Sequence, residues 1–223
     1  MKSPNILLRA AIALTTLFFI GCSKNNSSGS AALKFQLQTT NRISTIARVD
    51  AGNIQWASGF GSATEIKFEA KMNGNEVEQK SQTVQKVDLF SAISTLGNVT
   101  LAPGTYSEVE FKVELNPTST DAAMELTGQY TSAGVTTPVV FRVSDALELK
   151  NEKSNVVVTD NSTYKAITTI DLSLITTGIT QAMLNSAIKT NGTILITSTI
   201  NPGIYNILLS NLHNSDEVEF EHD

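Results

Sequence analysis

Apolar and polar residues alternate along Leu33-Lys34-Phe35-Gln36-Leu37-Gln38. A period of two places Leu33, Phe35 and Leu37 on one face of an extended strand whose other face meets water. The alternation returns in Ile66-Lys67-Phe68-Glu69-Ala70-Lys71-Met72, and Asn73-Gly74-Asn75 follows at once. Asn-Gly readily takes the positive φ angles of a two-residue turn, so a hairpin returning through Val77 is predicted. Tyr106, Val109, Phe111, Val113 and Leu115, interleaved with Glu108, Glu110, Lys112 and Glu114, predict a longer strand with one buried and one charged face. Segments 124–130, 139–143, 156–159, 166–174 and 193–199 are rich in Val, Ile and Thr and read as further strands.

Two segments change period. Residues 179–188 space their apolar positions helically, with Thr180 placed as N-cap. Asn201-Pro202-Gly203 opens a second helical stretch, 204–212, in which Ile204, Ile207, Leu208 and Leu212 share a face. No repeat of 20 to 50 residues is present, which disfavours a solenoid or propeller. The expected fold is all-β: an antiparallel β-sandwich over residues 33–223 with one or two short helices in its C-terminal half. Pro and polar residues interrupt the pattern near 116–121, either as a boundary between two sub-domains or as a loop inside one sandwich.

The start of the chain follows a different logic. Lys2 and Arg9 flank a basic stretch, residues 10–20 form an eleven-residue apolar run, and Gly21 precedes Cys22. That run is shorter than the about 20 residues a membrane-spanning helix needs, and it suits a secretory signal peptide. Phe19-Ile20-Gly21-Cys22 resembles the lipobox of bacterial lipoproteins, although leucine is usual at the place of Phe19. The resemblance implies cleavage after Gly21 and lipidation of Cys22, with 1–21 removed and 22–32 forming a tether. An ordinary signal peptide with an incidental cysteine is the alternative. Residues 23–30 are Ser, Asn, Lys and Gly only, as a flexible spacer should be. Cys22 is the one cysteine, so a thiolate metal site or cysteine nucleophile in the mature chain is excluded. No acidic residue directly follows Cys22, which favours the periplasmic face of the outer membrane over the cell surface.

Composition narrows the partners. Losing Lys2 and Arg9, the only charges before Cys22, takes the net charge from −5 to −7. A mildly acidic surface without basic runs argues against nucleic acid and leaves the lipid anchor, an envelope protein or an envelope glycan as partners.

Val87-Asp88-Leu89-Phe90, then Leu101-Ala102-Pro103-Gly104-Thr105-Tyr106 and a long alternating strand, resembles bacterial lipoproteins of the Bacteroidetes type that carry a prealbumin-like (transthyretin-like) sandwich domain of unknown function. The resemblance covers about residues 66–115, with 141–174 a looser match, and implies a prealbumin-like or immunoglobulin-like sandwich without catalytic residues. Independently, Pro103 fixes φ, Gly104 suits a type II turn, and Tyr106 enters the next strand as a large buried ring.

Few residues carry candidate chemistry. His213 and His222, beside Glu217, Glu219 and Glu221, could ligate a divalent cation, or belong to a solvated tail, or to a final strand with Val218 and Phe220 inward and the acids outward. Trp56 and Phe60 could present an aromatic platform to a sugar ring or belong to the core. Gly-x-Ser-x-Gly, phosphate-cradling and dinucleotide motifs are absent, and no cofactor is expected. The expectation is a non-enzymatic, lipid-anchored envelope protein; a fimbria-like subunit that exchanges strands is the alternative, and a carbohydrate-binding or hydrolytic protein a third.

Overall fold

A computed structural model describes residues 29–40, 54–91, 93–214 and 216–222. The strands among them are β1 (Ala31–Thr40), β2 (Ile54–Met72), β3 (Asn75–Asp88), β4 (Ser94–Leu101), β5 (Gly104–Leu115), β6 (Met124–Ser132), β7 (Val135–Val143), β8 (Leu147–Lys153), β9 (Val156–Val158), β10 (Thr163–Asp171), β11 (Lys189–Thr190), β12 (Thr193–Ile196) and β13 (Asp216–His222). Three helices, α1 (Leu172–Ile175), α2 (Gln181–Ser186) and α3 (Pro202–Leu212), lie in the C-terminal half. The fold is mostly β.

Two sheets form. One has the order β13-β10-β1-β4; the other runs β11-β12-β7-β6-β2-β5-β8, with β3 added to β2 and β9 to β5. The long β2 is the spine of the larger sheet. Its one edge pairs with β3 from Phe60 onward, while its other edge pairs first with β6, as far as Gly61, and then with β5, from Ala63. The sheet therefore forks at the middle of β2, and residues 116–123 cross the fork to join β5 to β6.

The inner face of this sheet is covered in two ways. Over β2 and β5 lies the four-stranded sheet: Phe35 of β1 meets Phe111 of β5 edge-on at 6.2 Å between centroids, and Phe220 of β13 lies 5.7 Å from the same ring. Over β6 and β7 lie the helices: the Tyr130 hydroxyl donates to Asn185 Oδ1 at 2.9 Å, and Phe141 packs against Tyr205 at 5.7 Å. The short α1 touches both covers, through β1 and through α3. One buried cluster joins both halves. Each fully buried Phe or Leu in it contributes about 1.5–3 kcal/mol by leaving water.

The sequence pattern explains most of these elements. The β2–β3 hairpin turns at Asn73 (φ +53°) and Gly74 (φ +79°), the positive pair a two-residue turn requires. Thr180 caps α2 by accepting from Met183 N–H at 3.3 Å. Tyr106 is wholly buried and its hydroxyl donates to Ala102 O at 2.6 Å, tying the start of β5 to the turn before it. Val218 and Phe220 point inward from β13 and Glu217, Glu219 and Glu221 outward, as in the final-strand reading of the C-terminal segment rather than the solvated tail.

Several expectations need correction. The sheets are mixed: β1 runs parallel to β10, and β12 parallel to β7. Parallel neighbours need a long crossover, and here each crossover contains many intervening strands, so no hairpin dictates the direction. The predicted strand 166–174 stops at Asp171, whose carboxylate accepts from Ser173 N–H at 2.9 Å and Ser173 Oγ at 2.5 Å and so starts α1, a third helix. The predicted strand 193–199 stops at Ile196, because Thr197 Oγ1 accepts from Thr199 and Ile200 N–H at 3.3 and 2.9 Å and turns the chain. Gly104 has φ +155°, outside the type II turn expected of it; it already belongs to β5, and a Cβ there would lie 2.6 Å from Met72 Sδ.

Candidate functional site

Trp56 and Phe60, four residues apart on one strand, should share a face. They do not, because β2 carries one extra residue, Ala57, where the register with β6 shifts between Trp56 and Ser58. The bulge reverses the alternation. Trp56, only 5% exposed, faces the core, whereas Phe60 turns outward and is half-buried. Of the expected aromatic pair, only Phe60 reaches the surface.

Phe60 forms the floor of an open groove of about 490 Å³ at the fork of the sheet. Lys86 of β3 stands over the ring, with Nζ 3.8 Å from its centroid, and pairs with Asp121 at 2.5 Å. Across the groove Arg142 Nε donates to Glu125 Oε2 at 2.6 Å. The wall between them is the segment 116–123, held in place by Ser62 Oγ donating to Ala122 O at 2.7 Å and by Asp121 N–H donating to Thr118 Oγ1 at 3.0 Å. The Lys86 ammonium, helped by the Thr120 hydroxyl, holds the Asp121 carboxyl below its ordinary range. Asp121 is thus an anionic acceptor with no proton to give at neutral pH. The groove offers matched charges, hydroxyls and one aromatic edge, which suits recognition of a polar ligand by hydrogen bonds.

The remaining candidates lie apart from it. His213 ends α3, where its Nδ1 lies 2.8 Å from Leu209 O. His222, at the end of β13, rests edge-on against Tyr164 with ring centroids 5.0 Å apart. Glu217, Glu219 and Glu221 are exposed on the outer face of β13, opposite Thr169, Ile167 and Lys165. No group of three or more His, Cys, Asp or Glu among the described residues comes close enough to hold a metal ion. Gly21 and Cys22 lie outside the described residues. Among the described residues no helix is long and apolar enough to cross a membrane.

Sequence reasoning missed the other groove residues. Lys86, Glu125 and Arg142 stand on three strands, and only the pairings Ser62 to Lys86, Phe60 to Glu125 and Glu125 to Arg142 bring them to one place. No local signal marks these three; Pro117-Thr118-Ser119-Thr120 and the glycine-flanked Phe60 mark only the wall and the floor of the groove. Comparison with protein-family models, with curated proteins and with solved structures finds no match.

Proposed function

We propose that this chain is a lipid-anchored protein of the bacterial cell envelope, acylated on Cys22 and held at the periplasmic face of the outer membrane, whose β domain is a non-catalytic binding or structural module. Its finer fold, in this reading, is a prealbumin-like or immunoglobulin-like sandwich. The buried Tyr106 hydroxyl bonded four residues back, a feature of Greek-key sandwiches, and the sheet laid over β2 and β5 support that assignment.

The observation that carries the binding reading is the make-up of the groove: the Phe60 ring lies under the Lys86 ammonium, between the Lys86–Asp121 and Arg142–Glu125 ion pairs. The groove over Phe60 is the binding site this reading assigns, with an envelope glycan or protein as ligand. Mass spectrometry and membrane fractionation of wild type and Cys22→Ala test the anchor: an acylated Cys22 in the membrane fraction, lost in the variant, is expected, and unmodified soluble wild type would refute it. Retention of the purified protein on immobilised envelope polysaccharide or outer-membrane protein, compared with Phe60→Ala, tests the site.

One observation favours a strand-exchanging, fimbria-like subunit as the second reading. The first described strand, β1, sits between β10 and β4, with Leu33, Phe35 and Leu37 fully buried. Its removal would open a slot for a strand from another copy. Polymerisation after proteolytic release of β1 would support this, and a protein that stays monomeric after such release would exclude it.

A further inference from the structure

The outer face of the larger sheet carries its charges in rows. Across β3, β2, β5 and β8, the register aligns Lys80, Lys67, Lys112 and Lys150 side by side. The next row, two residues along each strand, is Glu78, Glu69, Glu110 and Glu152. On the other side of the lysines stand Glu65, Glu114 and Glu148. Like charges directly opposite on neighbouring strands are destabilising, and a checkerboard of the same residues would avoid this. The rows are held by bonds along and across strands: Lys112 to Glu69 and Glu110 at 2.5 and 2.9 Å, and Lys67 to Glu65 and Glu114 at 3.1 and 3.0 Å. Lys150 completes the set with Glu110 and Glu152 at 3.1 and 3.2 Å. Each lysine is thus bonded to glutamates of its own face, and the face alternates in sign from row to row along the strands.

We propose that this striped face associates with the same face of a second copy of the chain. A row of four lysines beside a row of four glutamates is self-complementary. A two-fold axis lying in the interface, parallel to the rows and midway between them, puts each lysine row over the partner's glutamate row and each residue over its own strand's counterpart: Lys80 over Glu78, Lys150 over Glu152. Three of the four corner residues are the most exposed, with Lys80, Glu78 and Glu152 side chains 58%, 54% and 69% exposed against 36% for Lys150, so these corners make first contact. The central ion pairs already fix their side chains, which lowers the ordering cost of docking. Strands about 4.8 Å apart make each row roughly 14 Å long, well short of a standard interface, so the dimer is weak and salt-sensitive. Tethering through Cys22, as proposed above, would concentrate copies in one plane, but the association does not depend on it.

Sedimentation equilibrium of the purified full-length chain in dilute detergent micelles, at low and at half-molar salt, is the test. A dimer is expected whose dissociation constant rises about tenfold or more with salt. Lys80→Glu/Lys150→Glu and Glu78→Lys/Glu152→Lys should each be monomeric alone and dimerise when mixed, which also shows that both fold. Lys34→Glu/Lys165→Glu, on the other sheet, should leave the dimer intact. A wild type monomeric at all concentrations, a salt-insensitive dimer, or double variants that dimerise alone as wild type does would overturn the proposal.

Discussion

Asn201 holds three segments together with one side chain. It is left-handed (φ +58°, ψ +47°) just before α3, and 9% exposed. Its Oδ1 accepts from Ile188 N–H at 2.8 Å, and its Nδ2 donates to Ile188 O at 3.0 Å and Leu195 O at 2.8 Å. Its own carbonyl accepts from Ile204 and Tyr205 N–H, at 3.1 and 3.0 Å. Each side-chain bond contributes about 1 kcal/mol net, and an orphaned backbone group costs somewhat more, so Asn201→Gly should destabilise by about 3 kcal/mol. Asn201→Ala adds about 1 kcal/mol, because alanine tolerates the left-handed region poorly. For a chain of this length 3 kcal/mol corresponds to a fall of about 6–12 °C in melting temperature. Urea unfolding followed by fluorescence of Trp56, the one tryptophan and a buried one, measures both. Asn201→Ala should fall below Asn201→Gly with an unchanged denaturant slope. A loss under about 1 kcal/mol for Asn201→Ala would refute the reasoning, since neither the three bonds nor the backbone conformation would then matter.

Tyr106→Phe keeps the ring and loses the bond to Ala102 O, so a drop of about 1–2 kcal/mol in unfolding free energy is expected from the same titration. Gly128→Ala would set a Cβ 2.4 Å from Gln55 O, a backbone atom of the spine strand, and should cost about 3 kcal/mol or more, seen as loss of soluble protein or a melting temperature lowered by several degrees. The charged rows set the pH dependence. Glu110 is held below its ordinary 4.5, chiefly by its bond to Lys112, so its contribution is present above that value and disappears as pH falls through the lowered one. Lys67 is raised above its ordinary 10.5 by bonds to Glu114 and Glu65, so its contribution is complete below 10.5 and disappears as pH rises beyond. Melting temperature should therefore decline on the acid side below about pH 4.5 and on the alkaline side above about 10.5, and Glu110→Gln should flatten the acid decline.

How much of this could be read along the chain depends on the range of the interaction involved. The hairpin at Asn73-Gly74, the alternation of β1 and β5, and the cap at Thr180 are local, each written within a few residues. The first half of β2 was not legible, because Ile54-Gln55-Trp56-Ala57-Ser58-Gly59-Phe60-Gly61 carries small residues and a bulge that breaks its period. Gly59 and Gly128 are there for close backbone approach, which no periodicity announces. The charged face of β5 was visible in one strand, but its rows exist only through the registers with β2, β3 and β8. The groove has the same history: Phe60 stood out beside its glycines, whereas Lys86 and Arg142 gain meaning only from pairing. Asp171 ended a predicted strand because a side-chain bond to Ser173 outweighs the Thr-Ile run before it.

The place of β1 sets the order in which the molecule can be completed. It leaves the ribosome, and any secretion channel, before both its neighbours, β4 and β10, and β13 comes last of all. The hairpin of β2 and β3 and the pairing of β6 with β7 can form as they emerge, being close in the chain. β1 can pair with β4 once Ser94–Leu101 has emerged, but its other edge must wait until Thr163–Asp171 has been made. Loop closure over such a distance is slow, so the four-stranded sheet should be the last part to become protected in pulse-labelled hydrogen exchange. During that interval the β10-facing edge of β1 is open to chaperones, to proteases and to other chains.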